Sequence, residues 1–208
     1  MKYKGIYWHI LAPMIKRSIE KNHGKEIALC AIKGGRQKYK ELILNAPELG
    51  SGNQMAANAY FAYVFVAVWL GTDKKLNPED MGIVMRDILS KLKPLFGIID
   101  LNKNEKYWYN SMQKYKKWCD SGNLEKYPAT WRVSFDETLH DKGSYYYFTS
   151  CPICAYLKGI GLGEIMPPLC ETDEYMFAYQ HGKLYRQSTI ASGGKICDYW
   201  VVGDKNEK

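Results

Sequence analysis

Four of the chain's six cysteines fall between Tyr145 and Trp200, and they share that stretch with Asp173, His181, Arg186 and Asp198. Thiol, carboxyl and guanidinium groups at this density can supply nucleophilic attack, proton transfer and anion binding. Cys151 has the most telling setting. It stands between Tyr145 to Phe148, an aromatic run suited to a strand, and Pro152, which suits the first turn of a helix. A thiol at such a junction meets unpaired amide donors and the positive end of a helix dipole, a setting that favours the thiolate. Cys197 falls on what reads as the last strand.

The same thiols admit a metal reading. Cys151, Cys154, Cys170 and Cys197 are spaced C-x2-C, then fifteen residues, C, then twenty-six residues, C. The first pair suits zinc, but the second close pair of a structural site is missing, so zinc is the minority expectation and no cofactor is the main one. A thioredoxin-like reading of Cys151-Pro-Ile-Cys154 lacks the surrounding βαβ pattern. Gly159-Ile160-Gly161-Leu162-Gly163 follows a helix rather than a strand, so it reads as a helix terminator and not as a phosphate cradle. No GxSxG elbow is present. Cys30 and Cys119, each alone on a helical segment, are expected as small buried hydrophobes.

The elements that must position these groups are legible from pattern. With 208 residues, 46% of them hydrophobic, and a formal net charge of +7, the chain is rich enough in apolar residues to fold and excludes disorder. The lysines are scattered among Tyr and Glu on helix faces, without the basic stripe of a nucleic-acid binder, and the excess charge suits a small anionic substrate. Six cysteines without an export signal point to a reduced, cytoplasmic setting. Met55 to Gly71 is the most apolar stretch, seventeen residues long. That falls short of the roughly 20 residues a bilayer needs, so a buried core helix is expected and no membrane contact.

Helices are expected over Leu11–Asn22, with Pro13 in the first turn, and over Lys25–Leu44, with Ile27, Cys30, Ala31 and Ile32 turned inward. Gly34-Gly35 predicts close packing or a kink there. Asn77-Pro78-Glu79-Asp80 is a helix start, and Asn104 to Cys119 is an aromatic-rich helix. Strands are expected over Thr130–Phe135, Tyr145–Phe148, Leu184–Ile190 and Ile196–Val202, the last two joined across Ser192-Gly193-Gly194. The fold class is α+β: a helical half, residues 1–125, packed on a small antiparallel sheet with flanking helices, residues 126–208, as one domain.

Several of these segments carry a resemblance. Thr149-Ser150-Cys151-Pro152, Leu169-Cys170 with Asp173, Leu184-Tyr185-Arg186 with Thr189, and Gly193-Gly194 with Cys197-Asp198-Tyr199 resemble the signature of the L-2-amino-thiazoline-4-carboxylic acid hydrolase family. Leu11-Ala12-Pro13 and Gly24 to Arg36 fit it more loosely. The pattern departs at Ser150, Cys154 and Gln187, where arginine, alanine and threonine are common. The resemblance implies a hydrolase that opens a cyclic isothiourea, 2-amino-thiazoline-4-carboxylate, toward a carbamoyl-cysteine. Opening such a ring requires a nucleophile, a proton donor for the departing atom and a cation for the carboxylate. The expected catalytic residues are Cys151 as nucleophile, Asp173 as acid/base and Cys170 assisting. The expected substrate-binding residues are Arg186, Thr189, Cys197 and Asp198. For Arg186 a salt bridge to Asp173 or Asp198 is an equal alternative. The implied partner is a small, carboxylate-bearing molecule, with a homo-oligomer open. The alternative function is a non-catalytic ligand-binding domain that senses thiols or metals.

Overall fold

The computed structural model describes residues 1–206. It opens with two long helices, α1 (Gly5–His23) and α2 (Lys25–Asn45), joined through Gly24 alone and packed on each other. α1 begins six residues before the expected Leu11, and Pro13 lies in its interior rather than in its first turn. Two features reconcile this with proline chemistry. Trp8, Leu11, Ala12, Ile15 and Ile19 are all buried along one face, so tertiary burial holds the extra turns. The carbonyl deprived of its donor belongs to His9, which is exposed, so water can satisfy it.

α2 runs through Gly34-Gly35 without a break. A methyl on Gly34 would lie 2.9 Å from the Gly71 carbonyl oxygen, and one on Gly35 would lie 3.0 Å from that of Ala67. The two glycines are therefore the floor of a helix crossing with α3 (Ala56–Gly71), and close packing is the outcome. Ala28, Ala31, Tyr39, Leu42 and Ile43 fill the buried face of α2, while Cys30 is exposed, contrary to expectation. In α3 every residue from Ala62 to Trp69 is buried, as suits a helix apolar on all sides. Among the described residues no helix is long and apolar enough to cross a membrane.

α4 (Pro78–Lys91) starts with a capping box in which Asn77 accepts from the Asp80 amide and the Asp80 carboxylate accepts from the Asn77 amide. Its buried Met81, Val84, Met85 and Ile88 make it a support for the later helix α9. Pro94 restarts the chain as the short α5 (Lys93–Phe96), and α6 (Tyr107–Trp118) sends Tyr115 into the core. Cys119, just beyond α6, is buried as expected. A short turn, α7 (Leu124–Lys126), closes the helical half.

The remaining elements are β1 (Arg132–Ser134), β2 (Ser144–Ser150), α8 (Pro152–Gly159), α9 (Met166–Tyr179), β3 (Gly182–Tyr185) and β4 (Cys197–Gly203). The strands form one antiparallel sheet in the order β1-β2-β4-β3. β1 is shorter than its sequence pattern because Thr130 is drawn into a buried polar knot with Asn53 and Tyr115. β3 stops at Tyr185 because the Asp198 carboxylate takes the amides of Gln187 and Ser188, which leave the ladder. Residues 186–196 thus form a loop rather than a tight hairpin. Tyr146 pairs with Tyr199 and Phe148 with Cys197, so these four side chains share the inner face of the sheet. The main core extends from Met1 through the helices to Cys197, and a small second cluster gathers Leu101, Phe177 and Val201.

Candidate active site

The site is built where β2, α8, α9 and the 186–196 loop meet. Cys151 has extended backbone angles and caps α8, its sulfur accepting the Cys154 amide at 3.5 Å. The strand-to-helix junction is as the sequence implies, but its electrostatic consequence is not. Burial pushes the Cys151 thiol up to about 12, and the amides of Cys154 and Ile153 pull it back only in part. Withdrawing an anion from water outweighs two amide donors here, so the expected thiolate is corrected to a thiol. Cys170 lies in α9 and is likewise pushed up to about 12, first by burial and then by the charge of Asp173, against the pull of Arg186. Cys154 and Cys197 are buried and raised for the same first reason, and the Cys197 sulfur accepts the Ile190 amide at 3.2 Å.

These thiols share one neighbourhood, since Cys151 and Cys197 each act electrostatically on Cys170. Among the described residues no group of three or more His, Cys, Asp or Glu side chains is arranged to hold a metal ion.

Arg186 is the centre of the charged part of the site. It follows β3 directly, and its Nη1 donates to Asp173 Oδ2 at 2.8 Å while its Nη2 donates to the Cys170 carbonyl at 2.9 Å. Glu174 adds a longer ion pair at 3.6 Å, and only 8% of the Arg186 side chain is exposed. The salt-bridge alternative is thus realised with Asp173 and not with Asp198. Tyr199 donates its phenol to the same Asp173 Oδ2 at 2.7 Å. Burial raises the Asp173 carboxyl above its ordinary range, while Arg186 and Tyr199 oppose that rise. Burial alone would depress Arg186, but the charges of Asp173 and Tyr199 outweigh it and hold the guanidinium protonated well above its ordinary value.

Beside this group opens a cleft of about 250 Å³, lined by Cys170, Glu171, Arg186, Ser188, Thr189 and Ser192 among others. Thr189 lines it, with its Oγ1 accepting the Ser192 amide at 3.0 Å. Asp198, Cys197, Asp173 and Cys151 are not among the lining residues. Asp198 instead shapes the wall, its two oxygens accepting the amides of Gln187 at 2.9 Å and Ser188 at 2.7 Å. His181 lies elsewhere, in a second hollow of about 440 Å³ beside Lys93 and Tyr179. His140 stacks on Trp200 with ring centroids 3.9 Å apart, on the opposite face of the sheet from Cys197.

Sequence reasoning passed over Tyr199 as a site residue. The signal was present in the strand period: Tyr199 stands two places after Cys197 and so shares its face. Glu171 and Ser188 carried no comparable signal, since an exposed helix position and a loop position acquire meaning only once the cleft is formed.

The model of the L-2-amino-thiazoline-4-carboxylic acid hydrolase family matches residues 57–201, more than half of the chain. The chain belongs to this family. The match runs from the second residue of α3 to Val201 in β4 and so includes every residue of the cleft and of the Asp173–Arg186–Tyr199 group. The family's name implies a hydrolase. No curated protein and no solved structure matches the chain.

Proposed function

We propose that the cleft hydrolyses a small cyclic amidine or isothiourea bearing a carboxylate, with 2-amino-thiazoline-4-carboxylate as the reference substrate. The observation that supports this most is the meeting of a thiol, Cys170, and a charged guanidinium, Arg186, on the wall of one small cleft, with Asp173 bound to that guanidinium. Arg186 donates to Asp173 Oδ2, to the Cys170 carbonyl and, at 3.5 Å, to the Tyr199 phenol oxygen, which fixes the fork and leaves the rest of its five N–H groups for a substrate carboxylate. Glu171, on the same wall, offers a carboxylate to an amidinium.

Cys170, rather than Cys151, is the nucleophile in this reading, because it lines the cleft. Its sulfur attacks the amidine carbon between ring sulfur and ring nitrogen, and the thiol proton passes to Asp173. The bond from that carbon to the ring sulfur then breaks, the sulfur keeping the electron pair and taking the proton from Asp173. Water adds to the carbon left on Cys170, and the Cys170 thiol departs, leaving a urea. One water is consumed in all, and a carbamoyl-cysteine with a free thiol is released.

Purified protein incubated with 2-amino-thiazoline-4-carboxylate is expected to release one thiol per substrate consumed. Binding of the substrate without thiol release would overturn the hydrolase reading in favour of a ligand-sensing domain.

A further inference from the structure

The buried end of the site contains an asymmetry that bears on how a proton moves through it. Both donors to Asp173 end on the same oxygen: Arg186 Nη1 and the Tyr199 phenol each reach Oδ2, at 2.8 and 2.7 Å. Among the described residues no donor reaches Oδ1. The Asp173 side chain nevertheless keeps 31% of its surface open. A carboxylate pinned by one oxygen has its orientation fixed and its other oxygen free to take a proton.

Tyr199 is well suited to do the pinning. Its ring stacks on Tyr146 with centroids 5.2 Å apart and planes within 8°, and it meets the edges of Phe148 and Phe177. The Arg186 guanidinium lies over the same ring, 5.5 Å from its centre. Arg186 Nη1 also approaches the phenol oxygen at 3.5 Å, so the hydroxyl is turned away from the cation and toward Asp173. β4 sets this ring in place, since Tyr199 lies opposite Tyr146 in register.

We propose that Tyr199 is a positioning residue that holds Asp173 by Oδ2 and reserves Oδ1 as the oxygen that takes up and gives back a proton. The proposal rests on the reading of Asp173 as proton carrier, and it adds which oxygen acts and which residue makes it so.

The test is a titration that needs no turnover. In protein carrying 13C-labelled aspartate, the Asp173 carboxyl signal, assigned through Asp173→Asn, reports its pKa. Loss of one donor to the charged form in Tyr199→Phe is expected to raise that pKa by about one unit, a tenfold gain in proton affinity. Site-specific 3-fluorotyrosine at position 199 keeps the ring and makes the phenol a stronger donor, so it is expected to lower the pKa. Tyr146→Phe keeps the stacked ring and is expected to leave the signal unchanged. In the ring-opening assay Tyr199→Phe should lower kcat about tenfold with KM within about twofold, the pattern of a group acting on the chemical step. Identical Asp173 titrations in the wild type, Tyr199→Phe and the fluorinated protein overturn the proposal, whether or not the substrate is turned over. Shifted titrations together with no ring opening by the wild type leave Tyr199 as the positioner of Asp173 and refute the hydrolase reading alone.

Discussion

A half-buried thiol of raised pKa makes a reluctant nucleophile, and that reluctance constrains the chemistry at Cys170. With its pKa pushed up to about 12 by burial and by the charge of Asp173, Cys170 is almost wholly protonated near neutrality. It can attack only as its proton leaves, which is why a base must act in the same step. The sign of the effect is testable. The folded pKa lies above the ordinary thiol value, so the thiolate fraction keeps growing from pH 7 to pH 10. Alkylation of Cys170 by iodoacetamide is expected to rise about tenfold per pH unit over that range, without a plateau. Cys30, which is exposed, should be labelled first. A plateau for Cys170 near pH 7 would show a low-pKa thiolate and remove the need for Asp173 as base.

The elements were legible in proportion to how local their causes are. The capping box at Asn77, the apolar α3 and the Cys151–Pro152 junction are short-range patterns, and each stands where the residues imply. The early start of α1 was hidden because a proline normally marks a first turn, and only packing of Trp8 and Leu11 explains the additional turns. The ends of β1 and β3 were hidden because Thr130 and Asp198 bind partners that are far away in sequence or reached across a loop. The glycine crossing of α2 and α3 belongs to the same class: two glycines in a helix announce a close approach but not what approaches. Gly71→Ala tests that crossing. Its methyl would run into the Ala31 carbonyl and the Gly35 amide, which are backbone atoms and cannot yield. A loss of roughly 3 kcal/mol is expected in denaturant unfolding. Gly159→Ala, where a methyl meets nothing, should change stability by less than about 1 kcal/mol. Equal stability of the two variants would mean that α2 and α3 do not cross so closely.

At the scale of the whole molecule, the helical half serves the site through α4, which packs on α9, and through α3, which packs on α8. α9 carries Cys170, Glu171 and Asp173, and α8 is capped by Cys151, so the core sets the separation of the two cysteines. Of the residues singled out in the sequence, Cys170, Arg186 and Thr189 line the cleft, while Cys151, Asp173, Cys197 and Asp198 stand behind it. Cys151 and Asp198 read as groups facing substrate, yet one caps a helix and the other shapes a loop. Chain order shows which residues are near an element end, and not which of two thiols faces the cleft. In the proposed reaction Cys170 attacks the substrate while Cys151 supports α8. Thiol release from 2-amino-thiazoline-4-carboxylate, measured side by side for Cys170→Ser and Cys151→Ser, tests it most directly. A loss of at least about a hundredfold in kcat is expected for Cys170→Ser, since an alcohol is far less acidic than a thiol. For Cys151→Ser, whose hydroxyl can still cap the helix, kcat is expected within about threefold of the wild type. The reverse order of losses would make Cys151 the nucleophile and Cys170 the supporting thiol.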